Sequence, residues 1–123
     1  MHKRILIADE NPTEGSMLGQ SLVSEGFVVL PVRDLPTLLA KASAFKPDVI
    51  LLGVRDPARD GAQAAAALAG ARATAGIPLV LLSGAIAPDA PRTRPKEPGR
   101  YFVAKPVERI ALAALLRAIT REG

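Results

Sequence analysis

DVILLGVRDP, residues 48–57, carries four large aliphatic side chains on consecutive positions, Val49 to Leu52, then stops at Gly53 and breaks into Arg55, Asp56 and Pro57. A strand with one wet face alternates apolar with polar residues. A strand apolar on both sides needs cover on both faces, which is what a parallel sheet sandwiched between helices provides. The same signature recurs outward in both directions: ILIA at 5–8, FVVLPV at 27–32, PLVLLSG at 78–84 and YFVA at 101–104. Each run is strand-length, and most of the intervening stretches are helical in character. The pattern predicts an α/β fold, a doubly wound five-stranded parallel sheet ending in a helix, with residues 1–123 forming one domain.

Four helices fit between and after the runs. The first spans about Pro12 to Glu25, where Asn11 caps, Pro12 suits the first helical position, Met17, Leu18 and Leu22 form the apolar stripe, and Gly26 ends it. The second covers Leu35 to Phe45. The third, about Ala62 to Ala73, is nearly all alanine, so its helix propensity is high and its apolar burial small. The last, about Val107 to Arg121, sets Ile110, Leu112, Leu115, Leu116 and Ile119 at near-helical spacing. One interval breaks the pattern: AIAPDAPRTRPKEPGR has prolines at 88, 91, 95 and 98. An interior proline costs a helix about 3 kcal/mol and a hydrogen bond, so a proline-rich loop is expected there instead of a helix.

Composition narrows the function. The absence of cysteine excludes disulfides and thiolate metal sites. No run approaches the roughly 20 apolar residues of a membrane span, and the N-terminus lacks a signal-peptide core, so a cytoplasmic protein with no membrane role is expected. The net charge of +4 suggests nucleic acid, yet the arginines are scattered through the chain, and the aromatics, Phe27, Phe45, Tyr101 and Phe102, are too few for base-stacking platforms. Nucleic acid is therefore an unfavoured partner. The one local basic cluster, Arg92, Arg94, Lys96 and Arg100, is expected to be a solvated loop, with recognition of nucleic acid or an acidic partner as the alternative.

In a doubly wound sheet the site forms where the strands end at their carboxyl edge. Those ends hold Asp9 and Glu10, then Gly53 followed by Asp56 and Asp60-Gly61, then Ser83, then Lys105-Pro106. An acidic pair, a hydroxyl and a lysine brought to one edge are the equipment for phosphoryl transfer with a divalent cation. The carboxylates hold magnesium, and the hydroxyl and ammonium meet phosphoryl oxygens.

With these motifs in order, ILIADENP, DVILLGVRDP with its trailing DG, LVLLSG and YFVAKP, the chain resembles the receiver domains of response regulators in two-component signalling over its whole length. The spacings agree: 30 residues separate Gly53 from Ser83, and 22 separate Ser83 from Lys105. The resemblance implies a flavodoxin-like (βα)5 fold. It implies that Asp9 and Glu10 are the metal-holding acidic pair, Ser83 the phosphate-sensing hydroxyl, Lys105 the phosphate-binding lysine and Phe102 the aromatic switch residue. It also implies a cis bond at Lys105-Pro106. Its partners are a histidine kinase, an effector or a fused output domain, with a homodimer also open.

The chain departs from the family at the centre. Gly53 stands where the phosphate-accepting aspartate belongs, so no acyl phosphate can form there. One carboxylate ligand of the cation is lost as well, Lys105 can neutralise Asp9 and Glu10 directly, and the magnesium site is expected to be vestigial, weak or empty. Glu10 is longer than the family's usual aspartate, and the Pro88–Pro98 segment replaces the helix of the family's output face. The expectation is a non-enzymatic pseudo-receiver that acts through phosphorylation-independent protein contacts and has no catalytic residue. The alternative is a working acceptor that uses Asp56 or Glu10. Of these, Asp56 lies three residues past the strand and is expected to point away.

Overall fold

Strands β1 (Arg4–Asp9), β2 (Val28–Val32), β3 (Val49–Gly53), β4 (Leu79–Ser83) and β5 (Arg100–Ala104) pair in parallel in the order β2-β1-β3-β4-β5. The structure, a computed structural model, describes residues 2–9, 11–56, 59–84 and 100–121. The expected proline-rich loop and the basic residues at 92, 94 and 96 lie outside the described residues, and so does Glu10.

The period of two along each strand separates two cores. Ile5 and Ile7 of β1, Val49 and Leu51 of β3, and Val80 and Leu82 of β4 face one side. There they meet Leu22 of helix α1 (Pro12–Ser24) and Leu112, Ala113 and Leu116 of helix α4 (Arg109–Thr120). Leu6, Ala8, Ile50, Leu52, Leu79 and Leu81 face the other side. They meet Leu38 and Ala42 of helix α2 (Leu35–Phe45) and Ala64, Ala65 and Leu68 of helix α3 (Arg59–Ala69). With two described helices on each face, β3 and β4 are buried at every position, which is why their sequences do not alternate. β2 lies at the edge, where exposed Pro31 is tolerated because its missing N–H faces no further strand.

The helix ends explain where the sequence-based boundaries shift. α1 begins at Pro12 with Asn11 capping, as expected: the Asn11 side chain accepts from the amides of Thr13 (3.0 Å) and Glu14 (3.2 Å). α2 matches its expected span. Asp34 caps it by accepting from the amide of Thr37 (2.9 Å), and bonds from the Thr37 side chain and amide hold the Asp34 carboxyl below its ordinary range. α3 runs from 59 to 69, not from 62 to 73. Its start moves forward because Asp56 accepts from the amide of Arg59 (3.1 Å). Its end moves back because Gly70 follows and the Thr74 hydroxyl folds under the helix to donate to the Leu68 carbonyl (2.5 Å), one of the acceptors a helix C-terminus leaves open. These two bonds override the alanine propensity. α4 starts at Arg109 instead of Val107 because Glu108 caps it through the amides of Ile110 and Ala111. Among the described residues no helix is long and apolar enough to cross a membrane.

α3 lies close to the sheet because its sheet-facing positions are small. A Cβ at Gly61 would come within 2.7 Å of a Leu81 methyl, so a larger residue there would oblige the Leu81 side chain to shift. The sheet's carboxyl edge is thus flanked by α1, α3 and the turns after β3, β4 and β5, and that edge is where the chemistry-bearing residues lie.

Candidate functional site

The register of the central strands brings Asp9 and Gly53 together. They are Cα partners on β1 and β3, and each continues its strand's series toward the α1/α4 face, one step beyond Ile7 and Leu51. A side chain at 53 would therefore stand beside that of Asp9. In fact the Asp9 carboxylate fills that place. A Cβ at 53 would lie 2.5 Å from the Asp9 carboxyl carbon and 2.8 Å from Oδ1, and nearer still to Oδ2.

Asp9 is held there from two sides. Its Oδ1 accepts from the backbone amide of Asn11 (2.9 Å) and its Oδ2 from Lys105 Nζ (3.1 Å), while its side chain is only 4% exposed. Lys105 comes from the turn after β5. Its backbone is tied to β4 by the bond from its amide to the Ser83 carbonyl (3.0 Å), and the Lys105–Pro106 bond is cis, as the resemblance implied. A second carboxylate, Glu14 in the first turn of α1, takes another proton of the same ammonium at 2.8 Å. Burial pulls the Lys105 ammonium down, but the hydrogen bonds and charges of Glu14 and Asp9 together more than offset it, so its pKa lies above the ordinary lysine value.

Glu14 was missed at the level of sequence, although a signal was present. Asn11 at the cap and Glu14 three residues on have capping-box spacing, which would turn the Glu14 carboxylate back to the Asn11 amide. Asp9 already occupies that amide, so Glu14 is available to Lys105.

Ser83 is fully buried at the end of β4, and its hydroxyl donates to the carbonyl of Arg55 (3.2 Å), pinning the turn after β3. Phe102 lies half-buried on the α2/α3 face of β5, the face to which Ser83 also belongs by its alternation with Leu79 and Leu81. Asp9, Asn11, Glu14, Gly53, Arg55, Ser83 and Lys105 line one cavity at the carboxyl edge. Asp56 is exposed and not among the lining residues. It caps α3, and its own amide donates to Asp60 (3.0 Å). The half-buried Asp60 carboxyl is in turn held below its usual range, first by that bond. The structure thus brings Asp9, Gly53, Ser83 and Lys105 together, as the sequence predicts, and leaves Asp56 outside.

Of the acidic pair that the resemblance assigns to a cation, Asp9 shares the Lys105 ammonium with Glu14, and Glu10 lies outside the described residues. Among the described residues no group of three or more acidic or imidazole side chains is placed to hold a metal.

This topology agrees with comparison to known proteins. The profile of the response regulator receiver domain matches residues 5–117. The chain belongs to the response-regulator receiver family. It is 34% identical over 122 residues to the response regulator PleD of Caulobacter vibrioides, and 29% identical over 116 residues to the protein PilH of Pseudomonas aeruginosa. It spans 27% of PleD, covering 98% of this chain, and 96% of PilH, covering 94% of this chain. Among solved structures, a chemotaxis protein CheY4 of Vibrio cholerae superposes with a TM-score of 0.78 at 22% identity, over 97% of this chain and 99% of that one. The flavodoxin-like architecture is therefore that of the receiver domains, and the chain is a receiver domain of two-component signalling.

Proposed function

We propose that this receiver domain relays its signal through protein contacts without accepting a phosphoryl group. The observation that carries this reading is Gly53 at the end of β3, with the neighbouring carboxylate of Asp9 lying where an acceptor side chain would begin. Phosphorylation of a receiver makes an acyl phosphate, which requires a carboxylate nucleophile open to the donor. Gly53 has none, and Asp9 is buried with both oxygens engaged. The lysine that would meet phosphoryl oxygens is neutralised within the protein, and the serine hydroxyl that would follow the phosphate is spent on a backbone carbonyl. On this reading Ser83, Lys105 and Phe102 keep the shape of a phosphorylation site without its input, and magnesium binds weakly if at all.

A histidine kinase, an effector or a fused output domain in the cytoplasm is the partner this reading implies, with self-association as a further mode. No enzymatic step is assigned to the chain. Exposure to acetyl phosphate and magnesium, followed by intact mass measurement under conditions that preserve acyl phosphates, tests the proposal. The expected result is no gain in mass. A stoichiometric phosphoryl gain would refute it, and loss of that gain in Asp56→Asn or Glu10→Gln would identify the substitute acceptor.

A further inference from the structure

We propose that Glu14, with Gly53, builds an internal clamp on Lys105 that replaces both inputs of the site and holds the turn after β5 in one conformation. It deepens the phosphorylation-independent reading above and rests on it.

Three observations meet here. First, the Asp9 carboxylate reaches Lys105 from a position that a Cβ at residue 53 would exclude, so glycine supplies the space the pair needs. Second, Glu14 approaches the same ammonium from the α1 side at 2.8 Å. Third, the Lys105 amide is bound to the end of β4 while its side chain spans to β1 and α1, so one residue ties together three segments of the carboxyl edge. In this arrangement Glu14 is a positioning residue. It touches no reacting atom and acts by fixing where the Lys105 ammonium lies.

The two carboxylates surround the ammonium without help from a metal or a phosphoryl group. A dication entering the cavity would have to displace Lys105 from Asp9 and Glu14, and an anion would have to compete with both for Lys105. The clamp therefore makes the edge insensitive to the signals an ordinary receiver reads. It also gives position 53 a role beyond absence, since alanine would break the clamp although it restores no acceptor.

The test is amide and side-chain ammonium NMR on the wild type, Glu14→Gln, Glu14→Asp and Gly53→Ala, at one pH. In the wild type the Lys105 ammonium should give a protected proton resonance, and added magnesium or beryllofluoride should leave the amides of Asn11, Gly53 and Lys105 in place. In Glu14→Gln the ammonium resonance should broaden or vanish, and amide exchange over residues 105–108 should quicken several-fold. Glu14→Asp should recover part of the protection. Gly53→Ala should move the same resonances while the core amides of β3 and β4 stay put. Unchanged ammonium and loop signals in Glu14→Gln would overturn the clamp even with the wild type unphosphorylated. Phosphoryl incorporation by the wild type would instead overturn the reading on which the clamp rests. The far-exposed placement of Glu14 makes loss of folding in its variants a contrary result as well, because the clamp then could not be separable from the fold.

Discussion

Replacing Gly53 by alanine sets two physical effects against each other, and their sizes fix the sign of the result. Backbone considerations favour alanine: the change restricts the unfolded chain and at a compatible position stabilises by about 0.4–1 kcal/mol. Gly53 has no positive φ that would bar a side chain. Opposing this is the Asp9 carboxyl carbon, 2.5 Å from the new methyl, where carbon contacts settle at about 3.5–4.0 Å, so the carboxylate must retreat by roughly 1 Å. The retreat pulls Oδ2 from Lys105 and Oδ1 from the Asn11 amide, in a spot where the Asp9 side chain is 4% exposed and little water can compensate. Hydrogen bonds to charged groups contribute about 1.5–3 kcal/mol each, and Lys105, partly solvated, recovers some of that on release. The net expectation is a loss of about 1–2 kcal/mol despite the favourable backbone term. Urea titration followed by circular dichroism measures it: the midpoint should fall with the slope unchanged, and thermal melting should drop by about 4 °C per kcal/mol. A variant as stable as the wild type, or more so, would show that the Asp9 carboxylate does not depend on the vacancy at 53.

Four further perturbations probe other parts of the structure. Leu51→Ala empties a fully buried position in the central strand and should cost about 2–5 kcal/mol in the same urea titration. Asn11→Ala removes the acceptor for the first amides of α1 and should cost about 1 kcal/mol, seen as a lower melting temperature with helicity otherwise retained. Asp34 has its folded pKa depressed, first by the Thr37 side chain. Its stabilising effect is therefore present above the ordinary value of 3.8 and lost as pH falls through the lower folded value, so the stability gap between wild type and Asp34→Ala should close on acidification below that window. Lys105→Met leaves Asp9 and Glu14 without their shared cation, so millimolar magnesium should raise the melting temperature of this variant and not of the wild type; equal responses would exclude Lys105 as the occupant of the cation's place.

Most of the fold was legible because its signal is redundant. Five apolar runs of strand length cannot be buried except under cover on both faces, and β3 and β4 carry this with no polar residue until Gly53 and Ser83. A helix start was legible where one residue decides it, as Asn11 does for α1. α3 was misplaced at both ends because its boundaries depend on Asp56 and Thr74 reaching partners three and six residues away, against a background of alanines that favours helix everywhere. Single-residue propensity cannot register such bonds, since they form only when the turn beyond the helix has folded.

The site divides along the same line. Which residues gather at the carboxyl edge follows from strand order alone, so Asp9, Gly53, Ser83 and Lys105 could be named from their places at the ends of the runs. What those residues do to one another could not. Glu14 has capping-box spacing to Asn11, and only the competing bond from the Asn11 amide to Asp9 turns it toward Lys105. Asp9, in turn, lies where it does because nothing projects from residue 53 on the adjacent strand. A glycine at position 53 reads in sequence as a missing side chain. In three dimensions it leaves room, and the Asp9 carboxylate lies in it. The Lys105 ammonium is shared by two carboxylates, one from the end of β1 and one from the first turn of α1, so that the cation is balanced by acidic groups of two different elements within the fold.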